Sequence, residues 1–287
     1  MPAPGADSPF RQFPLIAYFA LAYGITWALL VPLALSSGGL LPVRLPPEWH
    51  ALGALGPLTA ALLVTRAEGG LPAVRRWLES LVRRRVAARW WFIATLSPVV
   101  LFVAAAVLVR VSGGDWPDFG RLALAEYANR AWLLDLLFVG TFAYGIGEEP
   151  GWRGFVLPRL ERRHGPLVAT VILTPFWALW HLPAFFYRPS YQGGLPTIVG
   201  FVFGLLAGAI VLTFLYDAAH GSVLPVIFWH ALINIAMQLA AVTSQPVVAT
   251  MNVLLAIAAA GIAVWWTWRG RRISAGGAES VPVAASG

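Results

Sequence analysis

Eight stretches of this chain are apolar for long enough to cross a bilayer, at approximately 13–35, 48–65, 90–109, 132–158, 166–187, 197–216, 222–242 and 247–268. A hydrocarbon core about 30 Å thick takes ~20 residues per helical crossing, so each run predicts one transmembrane helix. The fourth is the least regular. Connections are short, and no internal repeat, low-complexity block or soluble module interrupts them. That predicts an all-α polytopic membrane protein with a single transmembrane domain over 13–272, a motif-bearing core at about 132–242, a tail at 1–12 and a disordered tail at 273–287. The first apolar run is longer than a signal-peptide core and leads into further spans, so it is read as retained. Between the second and third runs, Leu71, Val74, Leu78, Leu81 and Val82 recur at helical steps while Arg75, Arg76, Arg83 and Arg84 occupy other faces. This pattern predicts an interfacial amphipathic helix held by anionic headgroups.

Composition agrees with a bilayer. Hydrophobic residues make up 59% of the 287 residues and charged ones only 11%, against about half and about a quarter in soluble domains. A net charge of +7 would suggest nucleic acid in a soluble protein, but all 20 basic residues are Arg and they are placed asymmetrically. With eight spans, one side carries fifteen (Arg11, seven from Arg66 to Arg89, four from Arg153 to Arg163, and Arg269, Arg271 and Arg272), and the other only Arg44, Arg110, Arg121, Arg130 and Arg188. The positive-inside rule then makes both termini cytoplasmic in a plasma membrane, and no nucleic-acid partner is needed to explain the charge. There is no cysteine, hence no disulfide framework, thiolate metal site or thiol nucleophile. Trp90, Trp91, Trp132, Trp265, Trp266 and Trp268 fall near span ends, where aromatic belts form.

Ionisable side chains inside membrane helices cost at least ~2.5–3.5 kcal/mol on insertion scales, so they have partners or a task. Here they cluster: Glu148, Glu149 and Arg153 in the fourth run, His181 at the end of the fifth, His230 and Asn234 in the seventh. Neighbouring carboxylates point ~100° apart on a helix and so take different roles. Glu149, four residues before Arg153, is placed for an i,i+4 ion pair. Glu148 faces elsewhere without a local cation, the condition wanted in a general base. Pro150 and Gly151 interrupt the hydrogen-bond ladder, which at membrane depth is tolerated only inside protein or beside a wet cavity. At 1.5 Å per residue, Glu148 lies ~16 Å, His181 ~22 Å and His230 ~12 Å from the same membrane edge, a convergence that helix tilt can close. Asp217 and His220 read as a solvated turn, His50 and His164 as loop residues, and Asp135 as a hydrated group near the outer interface.

These segments resemble the signature of the CAAX protease and bacteriocin-processing family of intramembrane endopeptidases: EExxxR, an aromatic-xxx-His, and HxxxN. Glu148, Glu149 and Arg153 match the first element, His230 and Asn234 the last. The middle element carries Trp177 where the family has Phe, with Phe176 one residue away. The resemblance covers about 138–240. It implies eight helices around a cytoplasm-facing cavity in which a glutamate-activated water hydrolyses a peptide bond of a membrane-associated or prenylated substrate. Glu148 would be the base, His181 and His230 would bind metal or stabilise the oxyanion, Asn234 would be an oxyanion donor, and Glu149 with Arg153 a structural pair. A Zn2+ ion held by His181, His230 and Glu148 is compatible with the implied chemistry, as is hydrolysis driven by glutamate alone. The same polar groups would also suit an ion- or proton-coupled transporter, or a catalytically idle scaffold or immunity protein of the family.

Overall fold

The computed structural model describes residues 9–46, 49–82, 85–124, 139–188 and 191–278. Asp135, Trp132, Arg130, Arg83 and Arg84 lie outside the described residues, as do the start of the fourth run and the outer parts of both tails. We label the long helices α1 (Pro14–Ser37), α2 (Gly56–Leu81), α3 (Ala88–Val111), α4 (139–161), α5 (Pro166–Trp180), α6 (Leu195–Ala218), α7 (Leu224–Thr243) and α8 (Gln245–Ala278). Five of them, α1, α3, α6, α7 and the stretch Gln245–Arg269 of α8, are individually long and apolar enough to cross a membrane. The other three coincide with predicted spans but are broken or short, each for a local reason.

In α2 the break is at Gly69 and Gly70, where Gly70 takes φ 66°, a conformation that side chains disfavour. The chain turns there, and the second half becomes the amphipathic helix expected from the sequence. Leu71, Leu78 and Val82 remain exposed, whereas Val74, Trp77 and Leu81 are buried against protein. Trp77 Nε1 donates to the carbonyl of Gly154 at 3.1 Å, and Val223 N donates to the carbonyl of Leu81 at 3.0 Å. The amphipathic segment is therefore a floor beneath α4 and α7 as well as a membrane-facing surface. In α5, Pro183 has no N–H to continue the ladder, so the helix stops at Trp180 and tightens into the 3-10 turn Leu182–Phe186.

Helices α1 and α2 pack along one another, α7 packs against α3 and α4, and α6 lies between α5 and α8. Gly147 and Gly151, four apart on α4, let the backbones close in: a Cβ on Gly147 would meet the Ala54 carbonyl oxygen at 2.5 Å, and one on Gly151 the Tyr18 hydroxyl at 2.4 Å. Small residues at helical spacing bring membrane helices together in this way, since dispersion contacts drive association in lipid. Cross-links then fix α1 to α5: Thr26 Oγ1 donates to the Gly53 carbonyl at 2.7 Å and accepts from Trp180 Nε1 at 2.8 Å.

Side-chain and turn contacts assign the two ends of the bundle. Arg11 donates to the Ala67 carbonyl at 3.0 Å and Arg159 pairs with Glu68 at 2.7 Å, so the N-terminus, the α2 kink and the end of α4 share one end. At the other end Asp118 N donates to the Thr243 carbonyl at 3.1 Å, and Arg188 reaches His50 at 2.8 Å.

Candidate active site

Helix α4 carries the acidic pair in one α-helical turn, Gly147–Gly151, set between π-helical stretches at Val139–Ile146 and Trp152–Val156. Pro150 lacks the N–H that would bond four residues back, and wider π turns absorb the interruption without ending the helix. The result is an irregular helix that is buried: Glu148, Glu149, Trp152 and Arg153 are almost inaccessible.

The two carboxylates divide as their angular separation predicts. Glu149 Oε1 accepts from Arg153 Nη1 at 3.0 Å, the expected i,i+4 pair, and the guanidinium also lies over the Trp177 ring at 4.3 Å. That same oxygen meets His230 Nδ1 at 2.6 Å, so Glu149 bridges the arginine of its own helix to the histidine of α7. Glu148 has no cation within ion-pair distance among the described residues. Its Oε2 accepts from the indole N–H of Trp177 at 2.8 Å and, more weakly, from that of Trp152 at 3.4 Å.

His181 sits at the end of α5, where tightening frees a carbonyl. Its backbone N–H bonds the Ala178 carbonyl at 3.1 Å instead of that of Trp177, and the imidazole Nδ1–H takes the Trp177 carbonyl at 2.8 Å. A carbonyl only accepts, so Nδ1 carries the proton and a neutral ring presents its Nε2 lone pair. In His230 the Nδ1 proton is held by Glu149 in the same way. Asn234 follows one turn later on α7.

Glu148, His181, His230 and Asn234 all line one cavity of about 640 Å³, with Trp177 beside them. Toward the arginine-rich end, the space beyond Glu148 is filled by the fully buried Trp152, Phe155, Leu157 and Leu215. Toward the other end the cavity reaches Gln192 and Gln245, in or beside the α5–α6 and α7–α8 connections. Its mouth is thus at the end opposite the N-terminus and Arg269.

The expectation for His50 changes. It is no isolated loop residue but a cavity-lining one, bonded through Nδ1 to the Tyr187 hydroxyl and through Nε2 to Arg188. Arg188 and Tyr144 line the same wall. Proximity of residues 50 and 188 depends on how α2 meets the α5–α6 connection, and no sequence spacing encodes it. Trp177 and Trp152 acquire a polar role beyond packing; Trp152, four residues after Glu148, could have been found by the i,i+4 rule. Asp217 and His220 are exposed at the arginine-rich end, away from the cavity, as read from the sequence.

The donor set gives a test of the metal expectation. Two imidazoles with their Nδ1 protons tied down are oriented as metal-binding histidines usually are. Yet no group of three His, Cys, Asp or Glu side chains is gathered closely enough to share a metal ion among the described residues. Glu148 spends one oxygen on two indoles, and Glu149 is committed to Arg153 and His230. These residues do not make a closed zinc ligand set.

Comparison with known proteins gives two findings. Residues 130–236 match the family model of Rce1-like type II CAAX prenyl endopeptidases. The chain is also 32% identical over 130 residues to a protein named CAAX prenyl protease 2 from Methanococcus maripaludis, an overlap of 44% of this chain and 46% of the relative. The chain thus spans less than half the length of this curated relative, and the stretch 130–236 matched by the family model is the one that carries the acidic pair and both histidines.

Proposed function

We propose that this chain, a CAAX protease family member by its segment 130–236, is an intramembrane endopeptidase that hydrolyses a peptide bond with a water activated by Glu148. The observation that carries the reading is a buried carboxylate with two indole donors and, among the described residues, no cation at ion-pair distance, on the wall of a cavity shared with two imidazoles and an amide.

A water placed between Glu148 and His181 has an acceptor for each of its protons: the free Glu148 oxygen and the His181 Nε2 lone pair. As its oxygen attacks the substrate carbonyl, one proton passes to Glu148, and the carbonyl oxygen becomes an oxyanion. Asn234, which can donate from its amide, is the donor for that charge, and His230, its ring fixed by Glu149, joins it only as the doubly protonated imidazolium, since with a single proton on Nδ1 its Nε2 is a lone pair. Glu148 then returns the proton to the leaving nitrogen, completing cleavage. Donors aimed in advance at a developing charge act strongly in a water-poor site, where each such group is worth ~2.7–4 kcal/mol.

The substrate class is a peptide or the tail of a membrane-associated protein, prenylated or not, that enters at the mouth near Gln192 and Gln245. The arginine asymmetry favours cytoplasmic termini and hence a mouth on the opposite face. Cleavage of a peptide by detergent-purified protein, with loss on Glu148→Gln, tests the reading. Flux through liposomes with no cleavage by the unaltered protein would replace it with the transporter alternative.

A further inference from the structure

We propose that residues 71–82, the part of α2 beyond its kink, are a docking surface for an anionic lipid leaflet, and that seating there braces the two helices carrying Glu149, Arg153 and His230. The regulatory half of this proposal rests on the hydrolytic reading above; the surface itself does not.

At 1.5 Å per residue this segment extends ~18 Å, too short to cross a hydrocarbon core about 30 Å thick. Successive residues turn ~100° about a helix, which sorts the segment into three adjoining strips. Val74, Trp77 and Leu81 are buried against the bundle. Leu71, Leu78 and Val82, exposed by 67%, 45% and 44%, form an apolar strip beside them. Arg75, Glu79 and Arg76 follow, all exposed. An apolar strip bordered by guanidinium groups fits a membrane surface, with the side chains of the strip in the acyl boundary and the cations among headgroup phosphates.

Charge selects the kind of lipid. From 71 to 89 the sequence holds six Arg against one Glu and no Asp. Glu79 pairs with Arg75 at 2.9 Å, while the exposed Arg76, Arg85 and Arg89 have no carboxylate partner among the described residues. A neutral leaflet would bury the same apolar strip with no ionic gain; an anionic one adds attraction for each unpaired cation.

The same segment is tied to the site at three points. Gly70, at φ 66°, makes the kink, and Glu68 just before it pairs with Arg159 of α4 at 2.7 Å. Trp77 Nε1 donates at 3.1 Å to the carbonyl of Gly154, the residue after Arg153. Close approach there requires glycine, since a Cβ on Gly154 would collide with the Leu81 side chain. The Leu81 carbonyl in turn accepts from Val223 N at 3.0 Å, and Val223 immediately precedes α7, about two turns before His230. Arg153 and His230 meet on Glu149 Oε1. Movement of the segment away from its seat therefore loosens contacts to both helices whose side chains converge on that oxygen. A leaflet that binds the seated form better shifts the population toward it.

The test places the full chain in nanodiscs of phosphatidylcholine, with and without phosphatidylglycerol, and reads hydrogen exchange and cleavage of one peptide side by side. In the anionic discs the amides of 71–82 and of Val223 should exchange at least threefold more slowly, and cleavage should be at least threefold faster. A variant carrying Arg75→Gln, Arg76→Gln and Arg85→Gln should show the same exchange and the same rate in both discs. Equal exchange of the unaltered chain in the two lipids overturns the proposal, as does a lipid effect that survives the triple substitution. Protection of 71–82 with Val223 unchanged overturns the bracing. Where the variant does not fold, salt decides: at ~1 M the Debye length is ~3 Å, so the lipid difference should vanish, and its persistence overturns the proposal. Soluble polyglutamate supplies charge without an apolar layer, and equal protection by it in neutral discs would reassign the surface to an acidic protein. Slowed exchange with no cleavage in either lipid removes the hydrolytic reading and leaves the docking surface; cleavage in both, with exchange and rate indifferent to lipid, does the reverse.

Discussion

His230 Nδ1 lies 2.6 Å from Glu149 Oε1, the oxygen that also receives Arg153. The acidic residue next to the proposed base is therefore the orienting partner of a histidine on another helix as well as one half of an ion pair. Truncating Glu149 to Ala leaves Arg153 buried and unpaired, a loss of about 3–5 kcal/mol for such a pair. Glu149→Ala should lower thermal stability in detergent by that order. Glu149→Gln, which keeps the shape and one acceptor, should lose less stability but still slow cleavage. Unchanged melting for Glu149→Ala would show that the pair carries no structural load.

Glu148 presents the converse case. Gln is isosteric and its amide oxygen still accepts from the Trp177 and Trp152 indoles, so Glu148→Gln should fold normally and lose all but a small residual cleavage. Because Glu148, His181 and His230 act on one water and one carbonyl, their losses should be grossly non-additive. Glu148→Gln combined with His230→Ala should be no slower than the slower single variant, measured as residual kcat.

Trp177→Phe separates ring from donor. The phenyl ring preserves stacking under Arg153, now at 4.3 Å from the indole, while the 2.8 Å hydrogen bond to Glu148 is lost. A hydrogen bond to a charged group contributes ~1.5–3 kcal/mol, so a rate loss of about tenfold to a hundredfold is expected with little change in melting. An unaltered kcat would mean that Glu148 needs no indole to hold its position.

Metal dependence follows from the ligand count. With no three-ligand group among the described residues, cleavage should survive prolonged dialysis against a chelator, and metal analysis of the purified protein should give well under one equivalent. Loss of activity restored by Zn2+, together with metal lost in His181→Ala and His230→Ala, would require a third ligand and revise the mechanism.

Topology is open to a direct measurement. Reporter fusions after residue 272 should read cytoplasmic and fusions within 112–120 external, from the distribution of arginines. By the fold, a cysteine-reactive, membrane-impermeant reagent should then modify Gln245→Cys, at the cavity mouth, from outside the cell; the natural chain has no cysteine to confuse the readout. Labelling of that position only from the cytoplasm would place both termini outside and set the arginine rule aside for this protein.

Local chemistry in the chain was enough for much of this protein. Apolar runs are dictated by the bilayer thickness, so the five helices long and apolar enough to cross a membrane among the described residues fall on runs visible in the sequence. The i,i+4 spacing of Glu149 and Arg153 determined their pair, because it depends only on the pitch of a helix. Divergence of Glu148 from Glu149 follows from the same pitch. Three features have consequences that only the tertiary structure decided. The kink at Gly69 and Gly70 turns Trp77 and Leu81 under the bundle, which closes the site at the arginine-rich end and leaves the mouth at the other. The break before Pro183 frees the Trp177 carbonyl for His181, fixing the ring. His50 meets Arg188 although 138 positions separate them, since contact between distant segments depends on how helices cross and close, a property that the spacing of residues within any one helix does not contain.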